Sequence, residues 1–547
     1  MGYKPMFEHY KRPLAVIALL ALAACGGGTS GNAFSGPAPL VPVPGGPAVA
    51  PQSGAAILNT IVGVGDSLTA GTQSGVTMGE PGADARVPGG VTPPTQENGF
   101  YSLLYQLAKG VSAASMYNPA TSPLPLIHQP GIGSQILFNA SGPVFGVSGN
   151  VSCDAFNASG FSLSAALTTV RISNTQNVFD LGVPGITAHE ALTMTGPSTG
   201  PPPGLATGPN GPYCPGYPSN ALDPTAGGLQ AVAQSENSTF YPVIGGFEGF
   251  APTTMVNAAA SLHPTLATVW LGANDMLKFI FSGAAAPISD SPAQMQADIT
   301  QTIQTLQRSG ARVVVANLPT VLSTAQFFAG GVPTNPAVPS QSVFYYLQAL
   351  SGGRITPAAA AAVVGPTGPL QTKYNVGGGG YLTETGFFTL LNELVHGVPL
   401  GSINLDLNPD GTPASGSVGF GQDYLPDTFV AAKISPLNAA YNAAIGAAAT
   451  ATGATLVDVN AAFAAISAGG GAALGIPAGT SLRFGKGLLS FDGLHPSNTG
   501  YALIANLFVQ ALDTPVSSGG LGLSVPPLTA AQINAIYASD PYKLPIP

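Results

Sequence analysis

Two short stretches near opposite ends of this 547-residue chain hold residue types that together support covalent acyl chemistry. Gly65-Asp66-Ser67-Leu68 closes an apolar run, residues 57–65, that reads as a buried strand entering a turn. A serine raised at the carboxyl end of a parallel strand stands where open α/β sheets place their sites. Asp66 reads as a brace for the turn, because adjacent residues seldom face one another. Far along the chain, Asp492-Gly493-Leu494-His495-Pro496 sets a carboxylate three residues from an imidazole on a loop. At that spacing Asp492 accepts a hydrogen bond from one ring nitrogen of His495 and leaves the other to face Ser67. Ser67, His495 and Asp492 are thus the candidate nucleophile, base and orienting acid.

Acyl transfer also needs donors for an oxyanion. Leu181-Gly182-Val183-Pro184-Gly185-Ile186-Thr187 offers the Gly185 N–H with no side chain in the way, and Gly272-Ala273-Asn274-Asp275 offers the Asn274 amide. An Asn in a turn more often caps a helix, so alone it carries little. The chain also contains one G-x-S-x-G, residues 196–200. It runs on into Pro201-Pro202-Pro203, which denies it the strand before and helix after that a nucleophile elbow requires. His128, His189, His263 and His396 stand without a second ligand at a metal-like spacing and read as polar or structural residues, with His189 close enough to Gly185 to line a pocket rim. Neither metal nor cofactor is expected. Trp270 reads as core.

The elements that must position these residues are short. Apolar runs at 57–65, 177–181, 266–272, 312–317 and 454–459 read as buried strands. Between the third and fourth, Met295, Ile299, Ile303 and Leu306 form a helix face over 292–308, closed by Gly310. Helical patterns also cover 436–450 and 499–512, the second directly after the Asp-x-x-His loop. Strand–helix alternation implies a parallel sheet covered on both sides, with right-handed crossovers. Residues 80–176, 195–252 and 327–433 are rich in Gly, Pro, Ser and Ala without sustained period and read as long loop insertions at one edge of the sheet. Residues 515–547 form a Pro-rich tail in which 528–537 reads as one short helix packing on the body.

Taken in order, the segments holding Ser67, Gly185, Asn274 and His495 resemble blocks I, II, III and V of the SGNH (GDSL) hydrolase family, over residues 57–512. The resemblance implies a flavodoxin-like three-layer α/β/α fold with a five-stranded parallel sheet. It also implies Ser67, Asp492 and His495 as catalytic triad, an oxyanion hole of Ser67, Gly185 and Asn274, no metal, and an acyl-enzyme intermediate. The expected substrates are lipid or short-chain acyl esters. Acetylated polysaccharide is the alternative substrate, and a non-catalytic module binding glycans or a partner on the same scaffold is the alternative function.

The N-terminus reads as an export signal: Lys4, Lys11 and Arg12 precede an uninterrupted apolar run, residues 14–24, too short to span a bilayer. It ends in Leu22-Ala23-Ala24-Cys25-Gly26, which resembles the lipobox of bacterial lipoproteins and implies lipidation of Cys25. Gly26 after that cysteine favours the outer membrane or cell surface. Residues 1–24 are then the signal peptide, 25–55 a Gly/Pro-rich tether, and 56–514 the hydrolase domain. Removing 1–24 takes away three basic residues and Glu8, so the formal charge of −9 becomes −11. A chain this acidic, with 15 Lys and Arg in all, cannot replace phosphate counterions, which excludes nucleic acid as a partner. With Cys25 lipidated, Cys153 and Cys214 are an even pair in an oxidising compartment, and a disulfide is expected.

Overall fold

The computed structural model describes residues 49–83, 91–128, 131–133, 136–139, 142–145, 149–150, 171–172, 178–194, 243–244, 253–281, 290–335, 340–405 and 423–544. Cys25, the Cys153–Cys214 pair and the G-x-S-x-G at 196–200 lie outside these residues.

Five strands form one sheet: β1 (Ile61–Gly65), β2 (Asp180–Gly182), β3 (Leu266–Trp270), β4 (Arg312–Ala316) and β5 (Thr455–Val457), in the order β5-β4-β3-β1-β2. Every pairing is parallel. Every residue of β1 and β3 is buried, as unbroken Ile/Val/Leu-rich runs require when both faces of a sheet are covered. The first strand is shorter than the sequence suggests. Residues 54–58 form a 3-10 turn, and the chain becomes extended only at Ile61. Register pairs Gly65 with Gly182 on one side and with Trp270 on the other, so β1, β2 and β3 end side by side. The chain runs from β1 outward to β2 and then back past β1 to β3, which makes the crevice between β1 and β3 a topological switch point.

The helices fall into two packing groups. The first comprises α2 (Ala188–Thr193), α3 (Met255–Ser261), α5 (Pro292–Arg308) and α10 (Ser435–Thr452); the second comprises α1 (Phe100–Lys109), α12 (Asn498–Asp513) and α13 (Ala530–Ser539). This is an α/β protein compatible with a three-layer α/β/α arrangement. In α5 the expected face, Met295, Ile299, Ile303 and Leu306, is buried, and the Ser291 hydroxyl accepts from the Gln294 N–H ahead of Pro292. Phe100 of α1 stacks on Phe508 of α12 at 4.8 Å and meets Trp270 of β3 edge-on at 5.3 Å, so one aromatic cluster joins the second helical group to the sheet.

Two of the expected insertions are not loop throughout. Residues 80–176 contain α1, whose Phe100, Tyr101 and Leu104 enter the core. Among the described residues, 327–433 hold four α-helices of six residues or more, α6 (Val343–Leu350), α7 (Pro357–Val364), α8 (Pro369–Tyr374) and α9 (Glu384–Val395). They also hold an antiparallel three-stranded sheet of Phe327–Ala329, Tyr381–Thr383 and Tyr424–Leu425. Of these helices the first three are 6–8 residues long, under the window of about 11–18 residues in which hydrophobic period is legible, and α9, with 12, only reaches its lower edge. Their signals are local instead: Ser342, Thr356 and Thr383 cap α6, α7 and α9. The C-terminal tail packs on the body, beginning its helix two residues later than expected. Asp540 accepts from both the N–H and the hydroxyl of Thr499 in the first turn of α12, and Tyr542 is buried. Among the described residues no helix is long and apolar enough to cross a membrane.

Candidate active site

Because β1, β2 and β3 end together, the segments that leave them converge. Residues 66–71 turn directly off β1, with the Ala70 N–H donating to the Asp66 carbonyl and the Thr72 N–H to that of Ser67. The Asp66 carboxylate accepts from the Leu68 N–H at 2.9 Å, the bracing expected of it. Its burial pushes its pKa up to about 7, against the Leu68 N–H and the charge of His495.

The loop bearing Asp492 and His495 is clasped before it becomes α12. The Ser490 N–H donates to the His495 carbonyl at 2.8 Å, and the Ser497 hydroxyl caps the helix two residues beyond His495 by accepting from the Gly500 N–H. Gly493 takes φ +69° at the tip, where a Cβ would come within 2.5 Å of the Gln326 nitrogen. The loop therefore meets the turn after β1 in one geometry. The Nδ1–H of His495 donates to Asp492 Oδ2 at 2.6 Å, and Nε2 lies 2.8 Å from Ser67 Oγ. An ionised Asp492 can only accept, which puts the ring proton on Nδ1 and leaves Nε2 as acceptor for the serine hydroxyl. Ser67, Asp492 and His495 are 4%, 2% and 3% exposed, so this hydrogen-bonded line lies out of bulk water.

Burial alone would raise the Asp492 pKa. The charge and ring N–H of His495, with the backbone N–H groups of His495 and Leu494, more than offset it and hold the carboxyl below the usual range. A further donor comes from a segment that sequence reasoning did not single out: the Gly75 N–H donates to Asp492 Oδ2 at 2.7 Å, and the Ser74 N–H to Ser490 Oγ at 2.7 Å. Ser74 adopts φ +52° to do so, a backbone that non-glycine residues seldom take. On the other side of Asp492, the Gln326 amide, oriented as its acceptors require, donates to the Asp492 carbonyl at 2.6 Å and to Glu384 at 3.3 Å. Burial first, and the Asp492 charge second, push the Glu384 carboxyl well up. Spacing could not have revealed Gln326 or Glu384, which act from more than 100 residues away.

The candidate oxyanion donors come to the same edge. Gly185 has φ +86°, a conformation that suits glycine. Among the described residues neither the Gly185 nor the Ser67 N–H has an acceptor. Asn274 sits in the first turn of α4 (Ala273–Phe281), buried, with Nδ2 donating to the Ile186 carbonyl at 3.0 Å and to Asp66 at 3.3 Å. Its amide thus ties the ends of β1, β2 and β3 together, and the Asp66 bond is the longer and weaker. His189 stands four residues past Gly185, its Nδ1 3.2 Å from Asp298 of α5.

Compared with protein-family models, with curated proteins and with solved structures, the chain matches none.

Proposed function

We propose that this chain is a serine hydrolase that cleaves carboxylic esters through an acyl-enzyme on Ser67. The observation that carries the reading is the Asp492–His495–Ser67 hydrogen-bonded line, assembled across 428 residues of chain at a parallel sheet's switch point. In the first half-reaction His495 Nε2 takes the Ser67 proton as Oγ attacks the ester carbonyl, and the imidazolium is stabilised by Asp492. The tetrahedral oxyanion is held by the Ser67 and Gly185 N–H groups, with Asn274 Nδ2 exchanging its long Asp66 contact for the developing charge. Collapse breaks the ester C–O bond, and His495 gives its proton to the departing alcohol. Water, deprotonated by His495, then attacks the acyl-serine and releases the acid with Ser67 restored.

Sheet order and the succession Ser67, Gly185, Asn274, His495 support an SGNH-type reading of the fold. Residues 14–26 support an exported protein held at a bacterial membrane, outer membrane or cell surface, by a lipid on Cys25. The substrates are lipid or short-chain acyl esters. The test is hydrolysis of a chromogenic ester series from acetyl to palmitoyl by the wild type and Ser67→Ala. The expected outcome is turnover that drops by at least about 10³-fold in the variant, with the preferred chain length defining the substrate class. Equal rates in both would remove Ser67 from the chemistry.

A further inference from the structure

A second group of chemically active side chains lies beside the oxyanion segments and takes no part in the proposed ester chemistry. His189 of α2, Asp290 just ahead of α5 and Asp298 within α5 bring one donor atom each to within 4.8 Å of one another. Asp298 is 1% exposed, with Oδ2 3.2 Å from His189 Nδ1 and Oδ1 accepting from the Gln294 amide at 2.9 Å. Asp290 is 2% exposed, and its Oδ2 has no hydrogen-bond donor among the described residues. Asp275, fully buried in the first turn of α4, interacts with Asp290. One Asp275 oxygen accepts from the Ala188 N–H at 3.1 Å, while its Oδ1 has no donor among the described residues.

Two carboxyl groups are therefore packed out of water around one imidazole, with a third, that of Asp275, against Asp290, and among the described residues no Lys or Arg forms an ion pair with any of them. Such a group is stable only if protons or a cation supply the missing positive charge. The Asp290 carboxyl can share protons with those of Asp275 and Asp298, and a cation would take the place of those protons, with Asp290 Oδ2 as a buried acceptor beside two other potential ligands. The half-buried His189, whose side chain is 16% exposed, leaves a way in from solvent. One imidazole nitrogen with carboxylate oxygens is a mixed donor set. It suits Zn²⁺ or Mn²⁺, whereas Ca²⁺ and Mg²⁺ favour oxygen ligands throughout. Bonds of about 2.1 Å place tetrahedral ligands roughly 3.4 Å apart, so the present spacing needs only small side-chain shifts.

We propose that His189, Asp290 and Asp298, backed by Asp275, bind one divalent transition-metal ion of the Zn²⁺ or Mn²⁺ class, fastening the chain after Gly185 to α5 and, through Asp275, to the helix that carries Asn274. The ion is structural and stands apart from the proposed triad. It escapes sequence spacing because the partners of His189 lie 101 and 109 residues downstream.

The test uses the purified full chain, stripped with chelator and titrated separately with Zn²⁺, Mn²⁺ and Ca²⁺ against a competing chromogenic chelator, with Tm followed in parallel. The expected result is one ion per chain and a rise in Tm on loading. His189→Gln and Asp298→Asn, both confirmed folded by the emission of the single Trp270, should bind at least tenfold more weakly and lose the rise. His189→Gln, at a position less buried than Asp298, keeps the test valid if Asp298→Asn does not fold. It also separates this site from the cysteines, whose zinc binding it would leave intact. A folded wild type that takes up no ion, His189→Gln binding as tightly as wild type, or Ca²⁺ preferred to Zn²⁺ would each overturn the proposal.

Discussion

Among the residues of the site, Asp492 does more than face His495. One of its oxygens accepts from the His495 ring and the Gly75 N–H, and the other from the Leu494 and His495 N–H groups. Exchanging it for Asn keeps the size but substitutes a donor for one acceptor and removes the charge that keeps the His495 proton on Nδ1. By the logic of a misplaced tautomer, D492N should lower kcat about 10³–10⁴-fold with KM little changed. Steady-state kinetics on the best ester of the series measures this, and a loss below tenfold would mean that Asp492 does not orient the base. The same buried contacts make the substitution destabilising by about 2–4 kcal/mol, readable by urea unfolding.

At the element scale, the loop between Leu489 and Pro496 is held by what lies behind it. The Gln326 N–H donates to the Gly493 carbonyl at 2.9 Å, and Phe484, which leads into the loop, packs among Phe328, Tyr346 and Phe388 of the inserted region. Gly493→Ala should cost about 1–3 kcal/mol, because it combines an unfavourable positive φ with a clash against Gln326. Urea unfolding followed by Trp270 emission checks it, and a change under about 0.5 kcal/mol would show that the loop yields. This backing is also where the sequence was least legible. The parallel strands and α5 could be read because they are long apolar runs or a sustained 3.6-residue face. Ser67, Asp492 and His495 could be read because two compact motifs hold them. The supports at Gln326, Glu384 and Ser74 could not, since each acts through contacts that only the folded chain creates. The short helices of residues 343–395 do not show in the sequence, because Ala- and Gly-rich surroundings hide caps that are individually weak signals.

At the scale of the whole molecule, two properties follow from where the charges and the chain ends lie. Burial raises Asp66 and Glu97 to about 7 and Asp180 to about 8. Between about pH 4 and these values the folded chain holds protons that the unfolded chain has released, so stability falls as pH rises through that window. Asp492 acts in the opposite sense, its stabilisation being lost only as pH falls below the ordinary carboxylate range. Between pH 5 and 8 the raised carboxyls, Glu384 among them, all act in one sense, so Tm should be higher at pH 5 than at pH 8 by at least about 5 °C in calorimetry; a flat or rising profile would contradict the burial argument. The second property is that the chain enters the described fold at Val49, bound to the Arg308 carbonyl, beside the strand beginnings, while Ser67 stands past the strand ends. On the proposed function, the contact between Ser67 and His495, made from opposite ends of the chain, turns Ser67 into a nucleophile. The most direct test is to treat the folded protein with a fluorophosphonate and map the modified peptide by mass spectrometry. The expected result is one adduct per chain, on Ser67, forming at least about 100-fold more slowly in His495→Ala. An adduct on another residue such as Ser198, or none on a folded chain, would contradict it.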